Sequence, residues 1–145
     1  MKSEQIYRQD GEKTYVLVFD IGDEVVSNLL EFARTQAIAA GHFTAIGGFS
    51  DVTLGYFQLE VKDYKHINVA EQVEVLSLVG NFAVTAEGEP KVHAHVVVGK
   101  SDGSAYGGHL LRARVRPTLE VVVIESPRHL QRISDPNTGL ALLKL

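Results

Sequence analysis

The chain has 145 residues, of which 45% are hydrophobic and 22% charged, with a net charge of −4 and no cysteine. This length gives one domain with a sizeable core, and the missing thiols exclude disulfides and cysteine metal sites. The acidic balance argues against autonomous tight binding to nucleic acid, where lysines and arginines must displace counterions. Neither a signal-peptide apolar stretch after Met1-Lys-Ser-Glu-Gln nor a membrane span is present, so a cytoplasmic protein with no membrane contact is expected.

The sign of the charge changes along the chain. Residues 1–104 hold 8 Lys and Arg against 15 Asp and Glu, whereas residues 105–145 hold 6 against 3. Arg112, Arg114 and Arg116 form the densest basic stretch. They alternate with Leu111, Ala113 and Val115, as a solvated strand face does, and a local basic surface is the other reading.

Gln5–Gln9 reads as a short strand before an Asp10-Gly11 turn, and Thr14–Phe19 as a stronger one rich in β-formers. Asp23 is the expected N-cap of a helix from Glu24 to about Ala40, stopped by Gly41. Its apolar stripe would be Val26, Leu29, Leu30, Ala33 and Ala37. Beyond it the pattern is β. Phe43–Ile46 and Val52–Leu59 read as two strands separated by Gly47-Gly48 and by a turn signal at Ser50-Asp51. Val61–Asn68 reads as an edge. Val73–Val79 reads as a central strand broken at Gly80-Asn81 and continued by Phe82–Thr85. Thr118–Glu125 is a further apolar strand. The tail from Ser126 ends in Leu140, Leu142, Leu143 and Leu145, which are expected to dock on the body or on another subunit.

The chemistry concentrates in Val92–Leu111, which holds three of the six histidines. On a strand His93 and His95 project from the same face. Ser101-Asp-Gly-Ser104 is a turn signal, and a chain that doubles back there returns His109 towards the first pair. Three converging imidazoles hold zinc or a similar divalent ion and leave a coordination position open. The plainer alternative is a polar face with His109 capping a turn. Gly107 and Gly108 fit either a tight corner or a close backbone approach to a ligand. Glu120 and Glu74, each in an apolar run, read as solvent-facing residues or as supporting carboxylates that orient a metal-bound histidine or hold an arginine. No nucleotide loop or nucleophile elbow occurs.

Several stretches together resemble the plants-and-prokaryotes-conserved (PPC) domain family in its stand-alone bacterial and archaeal form. They are Ala45-Ile-Gly-Gly48, Glu74-Val-Leu-Ser-Leu-Val-Gly-Asn81, His93-Ala-His95, Gly107-Gly-His-Leu110 and Thr118-Leu-Glu-Val-Val122. The resemblance implies a single α+β domain over residues 1–145, with a mostly antiparallel, barrel-like sheet and one main helix. It also implies a homotrimer, and a metal site at His93, His95 and His109. The family is similar in fold to acetolactate decarboxylase, which holds zinc with three histidines. This opens a second reading, a metal-dependent lyase- or hydrolase-like enzyme acting on a small oxo- or hydroxy-acid. Family members often carry the label of candidate DNA-binding protein, which gives a third reading, a trimeric interaction or DNA-associated module. The Arg-Gly-Arg core of the AT-hook found in plant members is absent here. The leading expectation is a protein binding one divalent metal, with water, a small molecule or an anion in the open position.

Overall fold

Residues 1–144 are described by a computed structural model. Their β-branched and aromatic runs form nine strands of one mixed sheet with a single helix against it, an α+β architecture as expected. Leu145 lies outside the described residues. The strands β1 (Lys2–Gln9) and β2 (Glu12–Phe19) make a hairpin, and β1 begins earlier than its polar sequence suggests. Its turn, Asp10-Gly11, has φ of 51° and 85°, the left-handed pair that two-residue hairpins need.

Helix α1 (Val25–Thr35) buries Val25, Leu29, Phe32 and Ala33, and Phe32 meets Tyr15 of β2 edge-on at 5.2 Å. The N-cap is Glu24, not Asp23. The Glu24 carboxylate accepts from Val26 N at 3.3 Å and Ser27 N at 2.7 Å. The shorter Asp23 is committed elsewhere, accepting from Asp20 N and pairing with the Met1 amino group at 2.8 Å. The helix also ends earlier than expected. Gln36, Ala37 and Ile38 donate back to Phe32, Arg34 and Ala33 carbonyls, with Ala37 exposed and left-handed at φ 54°. Gly41 is therefore no helix stop. It opens the next strand, where a Cβ would lie 2.8 Å from the Ile124 carbonyl oxygen.

Two long strands organise the rest. β3 (Gly41–Gln58) runs unbroken through Gly47-Gly48 and Ser50-Asp51, where two strands and a turn were expected. After β4 (Asp63–Val69), β5 (Val73–Val84) and β6 (Pro90–Gly99), strand β7 (Ala105–Glu125) continues through Thr118 as one element. Strand β5 likewise passes through Gly80-Asn81, because Gly80 leaves room for the Phe43 ring instead of ending the strand. A Cβ there would meet Phe43 Cζ at 2.3 Å. The first part of β3 pairs with β5 and with the far half of β7, while its second part pairs with β4 and the near half of β7. Strand β6 joins β5 to the start of β7, which closes the circuit β3–β5–β6–β7 into a barrel-like form. Phe19, Phe43, Phe49, Leu78, Phe82 and Leu119 are fully buried inside it.

The tail departs from β7 to form β8 (Gln131–Ser134) and β9 (Ala141–Lys144). β8 joins the sheet by one parallel pair, Val84 with Gln131, and β9 pairs with β8. Leu142 and Leu143 remain 43% and 40% exposed, so these two are not docked into the core.

Candidate metal centre

Alternation on β6 sets the site. Ala94, Val96 and Val98 face the core, which turns His93, His95 and Val97 to the outer face. The hairpin between β6 and β7 closes as Lys100 N donates to the Ser104 carbonyl, with Gly103 at φ 83°. This turn brings His109 directly opposite His95 in the ladder. The three rings form a near-equilateral triangle, with centroids 5.1, 5.1 and 5.3 Å apart. One nitrogen from each lies within 4.8 Å of the others. The Nε2 atoms of His93 and His95 are 3.2 Å apart. Two zinc–nitrogen bonds in a tetrahedral site span about 3.3 Å, so this pair already has a ligand-like spacing.

The protonation states of two of the rings suit metal ligation as well. Burial pushes His109 down to about 4 from the usual histidine value, helped by the neighbouring imidazoles and Arg132. Burial also lowers His93, with Arg132 and His95 contributing. Both rings are therefore neutral at pH 7, the form that ligates a metal. His109 Nδ1 is buried and has no hydrogen-bond partner. A buried nitrogen without a partner is costly unless something binds it. Neutral rings, close nitrogens and an orphaned Nδ1 together fit a divalent ion at this place.

The lowered His109 value has a consequence for stability. In the unfolded chain His109 takes a proton near pH 6.5, while in the folded protein it does so only near pH 4. The metal-free protein should thus lose stability from this group as pH falls from 7 to 4, about 1–2 kcal/mol once solvent screening of the half-buried ring is allowed for. Urea unfolding across that range should show a flatter pH profile for His109→Gln. An unchanged profile would mean that His109 does not carry the dependence.

The surroundings hold residues that the sequence pattern does not announce. Tyr64 of β4 stacks on His109 at 4.8 Å between centroids. Arg132 of β8 is 9% exposed and donates to Asn81 Oδ1 at 2.8 Å and to the Ala141 carbonyl at 2.7 Å. It also reaches His93 Nδ1 at 3.3 Å. Asn81, read from sequence as part of a strand break, positions this arginine. Arg132 itself carries no sequence signal, being one of three cations, with Arg128 and Lys144, spread along the tail. A pocket of about 190 Å³ opens here, lined by Tyr64, His93, His109, Arg132, Leu140 and Leu142 among others.

The supporting carboxylates expected from sequence are not at the site. Glu74 and Glu120 are exposed, line a separate groove beside Ile46 and Leu76, and make no hydrogen bond to any of the three histidines. Alternation puts both side chains on the outer face, as it does the histidines, but Glu74 pairs with Gly99 and Glu120 with Ile46, rows away from His95. Of the two glycines, Gly108 serves the approach of β7 to β3, since a Cβ would sit 2.9 Å from the Gly55 carbonyl oxygen. Gly107 is exposed, and a Cβ on it would make only ordinary contact with β6.

A small α+β barrel with a three-histidine cluster on its outer face is the class that fold and site define. The Plants and Prokaryotes Conserved (PCC) domain model matches residues 7–127, and the chain belongs to that family. A protein from Archaeoglobus fulgidus described as metal-containing is 35% identical, with TM-score 0.85 over 98% of this chain and 100% of that one. A PPC protein from Pyrococcus horikoshii is 30% identical, with TM-score 0.85 over 99% and 95%. A candidate DNA-binding protein from Bacteroides thetaiotaomicron is 28% identical, with TM-score 0.87 over 98% and 96%. Acetolactate decarboxylase from Bacillus subtilis shares the fold at 15% identity and TM-score 0.58, over 88% of this chain and 58% of that one. Two curated Synechococcus relatives, each named bifunctional protein GlmU, are 32% and 31% identical over 130 residues. The chain spans 19% and 20% of their length.

Proposed function

We propose that this member of the family binds one divalent metal, zinc or a similar ion, through His93, His95 and His109. The observation that carries this reading is the convergence of three imidazole nitrogens within 4.8 Å on one sheet face. The metal-containing Archaeoglobus relative supports it. Three protein ligands leave a fourth position for water or a small ligand.

The working form is a homotrimer. The face that carries the site continues along one cross-strand row, from Val122 through Thr44 and Val79 to His95 and His109. Val79, Val97 and Val122 are 49%, 42% and 41% exposed, and Ile46 and Leu76 are more open still. Such a contiguous apolar face is what a subunit contact covers. Among the described residues no helix is long and apolar enough to cross a membrane. The cytoplasm is proposed as the working compartment.

Elemental mass spectrometry of tag-free protein should find about one divalent ion per chain, and sedimentation should give three chains per particle. Metal-free protein that refuses added zinc and cobalt would overturn the first statement. A monomer at micromolar concentration would overturn the second.

The pocket beside the open position favours a second reading, a metal-dependent lyase- or hydrolase-like enzyme on a small oxo- or hydroxy-acid. DNA association has less behind it. Arg112, Arg114 and Arg116 are exposed on β7, but Asp51 stands opposite Arg114 in the ladder and the chain is acidic overall.

A further inference from the structure

Arg132 is a cation in the wrong place for a cation site. The residue is 9% exposed, and its guanidinium has no Asp or Glu partner among the described residues. Three of its five N–H groups meet Asn81, Ala141 and His93, while Nε is buried without a partner. Burial lowers its proton affinity, with no carboxylate among the described residues to raise it again. Buried charges are ordinarily paired, because an unpaired one loses its hydration without recompense.

A divalent ion on three neutral imidazoles would raise the charge of this pocket to +4, counting Arg132 and the exposed Lys91 on its rim, with no acidic side chain among the lining residues to offset it. At separations of several ångströms that repulsion is worth several kcal/mol even in a polarisable protein. His93 adds a second consideration. An arginine only donates, so His93 Nδ1 accepts in the present arrangement and the ring proton sits on Nε2. A neutral imidazole that ligates through Nε2 carries its proton on Nδ1 instead. The contact then becomes two facing donors, and one guanidinium N–H is released to the pocket.

We infer that the pocket is an anion site, and that the ligand in the open position is a small organic carboxylate held between the metal and Arg132. This rests on the metal reading above and extends it to the class of ligand. Planar carboxylates match the guanidinium fork, and Leu140, Leu142 and Tyr64 give the pocket an apolar wall for a short carbon body. Arg132 acts as a specificity residue supplied by the tail. It lies past residue 127, where the family match ends.

The test uses the full chain loaded with cobalt, whose visible spectrum reports ligands entering the metal sphere. Propionate and its neutral isostere propionamide are titrated into the wild type, Arg132→Gln and Arg132→Lys. In the wild type propionate should bind at least tenfold more tightly than propionamide or inorganic phosphate. In Arg132→Gln propionate should weaken about tenfold, while propionamide stays within about twofold and cobalt stays at one per chain. Arg132→Lys keeps the charge without the fork and should recover part of the loss, which a merely structural role for the side chain would not explain.

Equal weakening of propionate and propionamide, no weakening at all, or phosphate matching propionate would each overturn the inference while leaving the metal site intact. Failure of the wild type to load cobalt would instead overturn the metal reading. In that case propionate binding to the metal-free chain, lost in Arg132→Gln, would sustain Arg132 as the anion site, and no binding would overturn it too.

Discussion

Alanine at His109 is expected to abolish metal uptake, taking the ion content from about one per chain to less than a tenth of that after dialysis against a weak chelator. Four-ligand zinc sites in small domains bind with about 10–16 kcal/mol, which assigns roughly 3 kcal/mol to each ligand and a factor of 100 or more to its loss. His93→Ala and His95→Ala should behave alike, since each ring occupies one corner of the same triangle. His42, His66 and His129 are exposed and outside the cluster, so their alanine variants should keep full occupancy. The three ligand variants should differ in their metal-free stability. His95 is exposed and its removal costs little, whereas His109 stacks on Tyr64 and its removal opens space beneath that ring. Elemental analysis beside urea unfolding separates the two effects. Full occupancy in any of the three would remove that histidine from the site.

The pairing of His93 with His95 was legible because strand alternation is a local rule: Ala94, Val96 and Val98 had to face inward, so the imidazoles faced out. The return of His109 was legible from the turn residues, though not its register. Other parts were hidden for physical reasons. A glycine is written the same way whether it makes a turn or permits two backbones to touch. Gly47-Gly48 and Gly80 therefore read as interruptions, where they are points of close packing inside continuous strands. Asp23 and Glu24 both cap helices, and the choice between them depended on a distant amino group drawing Asp23 away. Arg132 was invisible because it lies 39 residues after His93, and long-range contacts bring it there: the parallel pairing of β8 with β5 and the hydrogen bond from Leu130 N to the Ala39 carbonyl. Glu74 and Glu120 were overread. A carboxylate in a β-branched run marks a buried charge only when its face is inward, and theirs is not.

The close packing at Gly47 carries the second large effect, and it ties the fold to the site. Gly47 is where the pairing of β3 with the far half of β7 ends; the register shifts between Gly47 and Phe49, and the pairing then resumes with the near half, which aligns Gly55 with His109. Its φ is 148°, outside the range that L side chains favour. A Cβ there would lie 2.3 Å from the Thr118 carbonyl oxygen and 2.8 Å from Leu119 Cα. Both neighbours are backbone of β7, so neither can swing aside as a side chain would. Gly47→Ala thus combines a strained conformation, about 1–3 kcal/mol, with forced separation of two paired strands, about 1–3 kcal/mol more. The total, on the order of 4 kcal/mol, is a large share of the stability of a domain this size. Gly88 provides the comparison. It has φ of 85° in the loop before β6, but a Cβ there would meet nothing within 4 Å. Gly88→Ala should cost only about 1 kcal/mol, from conformation alone. In urea the midpoint should fall by about 2 M for Gly47→Ala and by about 0.5 M for Gly88→Ala. Metal uptake should fail in the first variant at denaturant concentrations that the second still tolerates. Equal midpoints would show that β3 and β7 can part at Gly47 without loss.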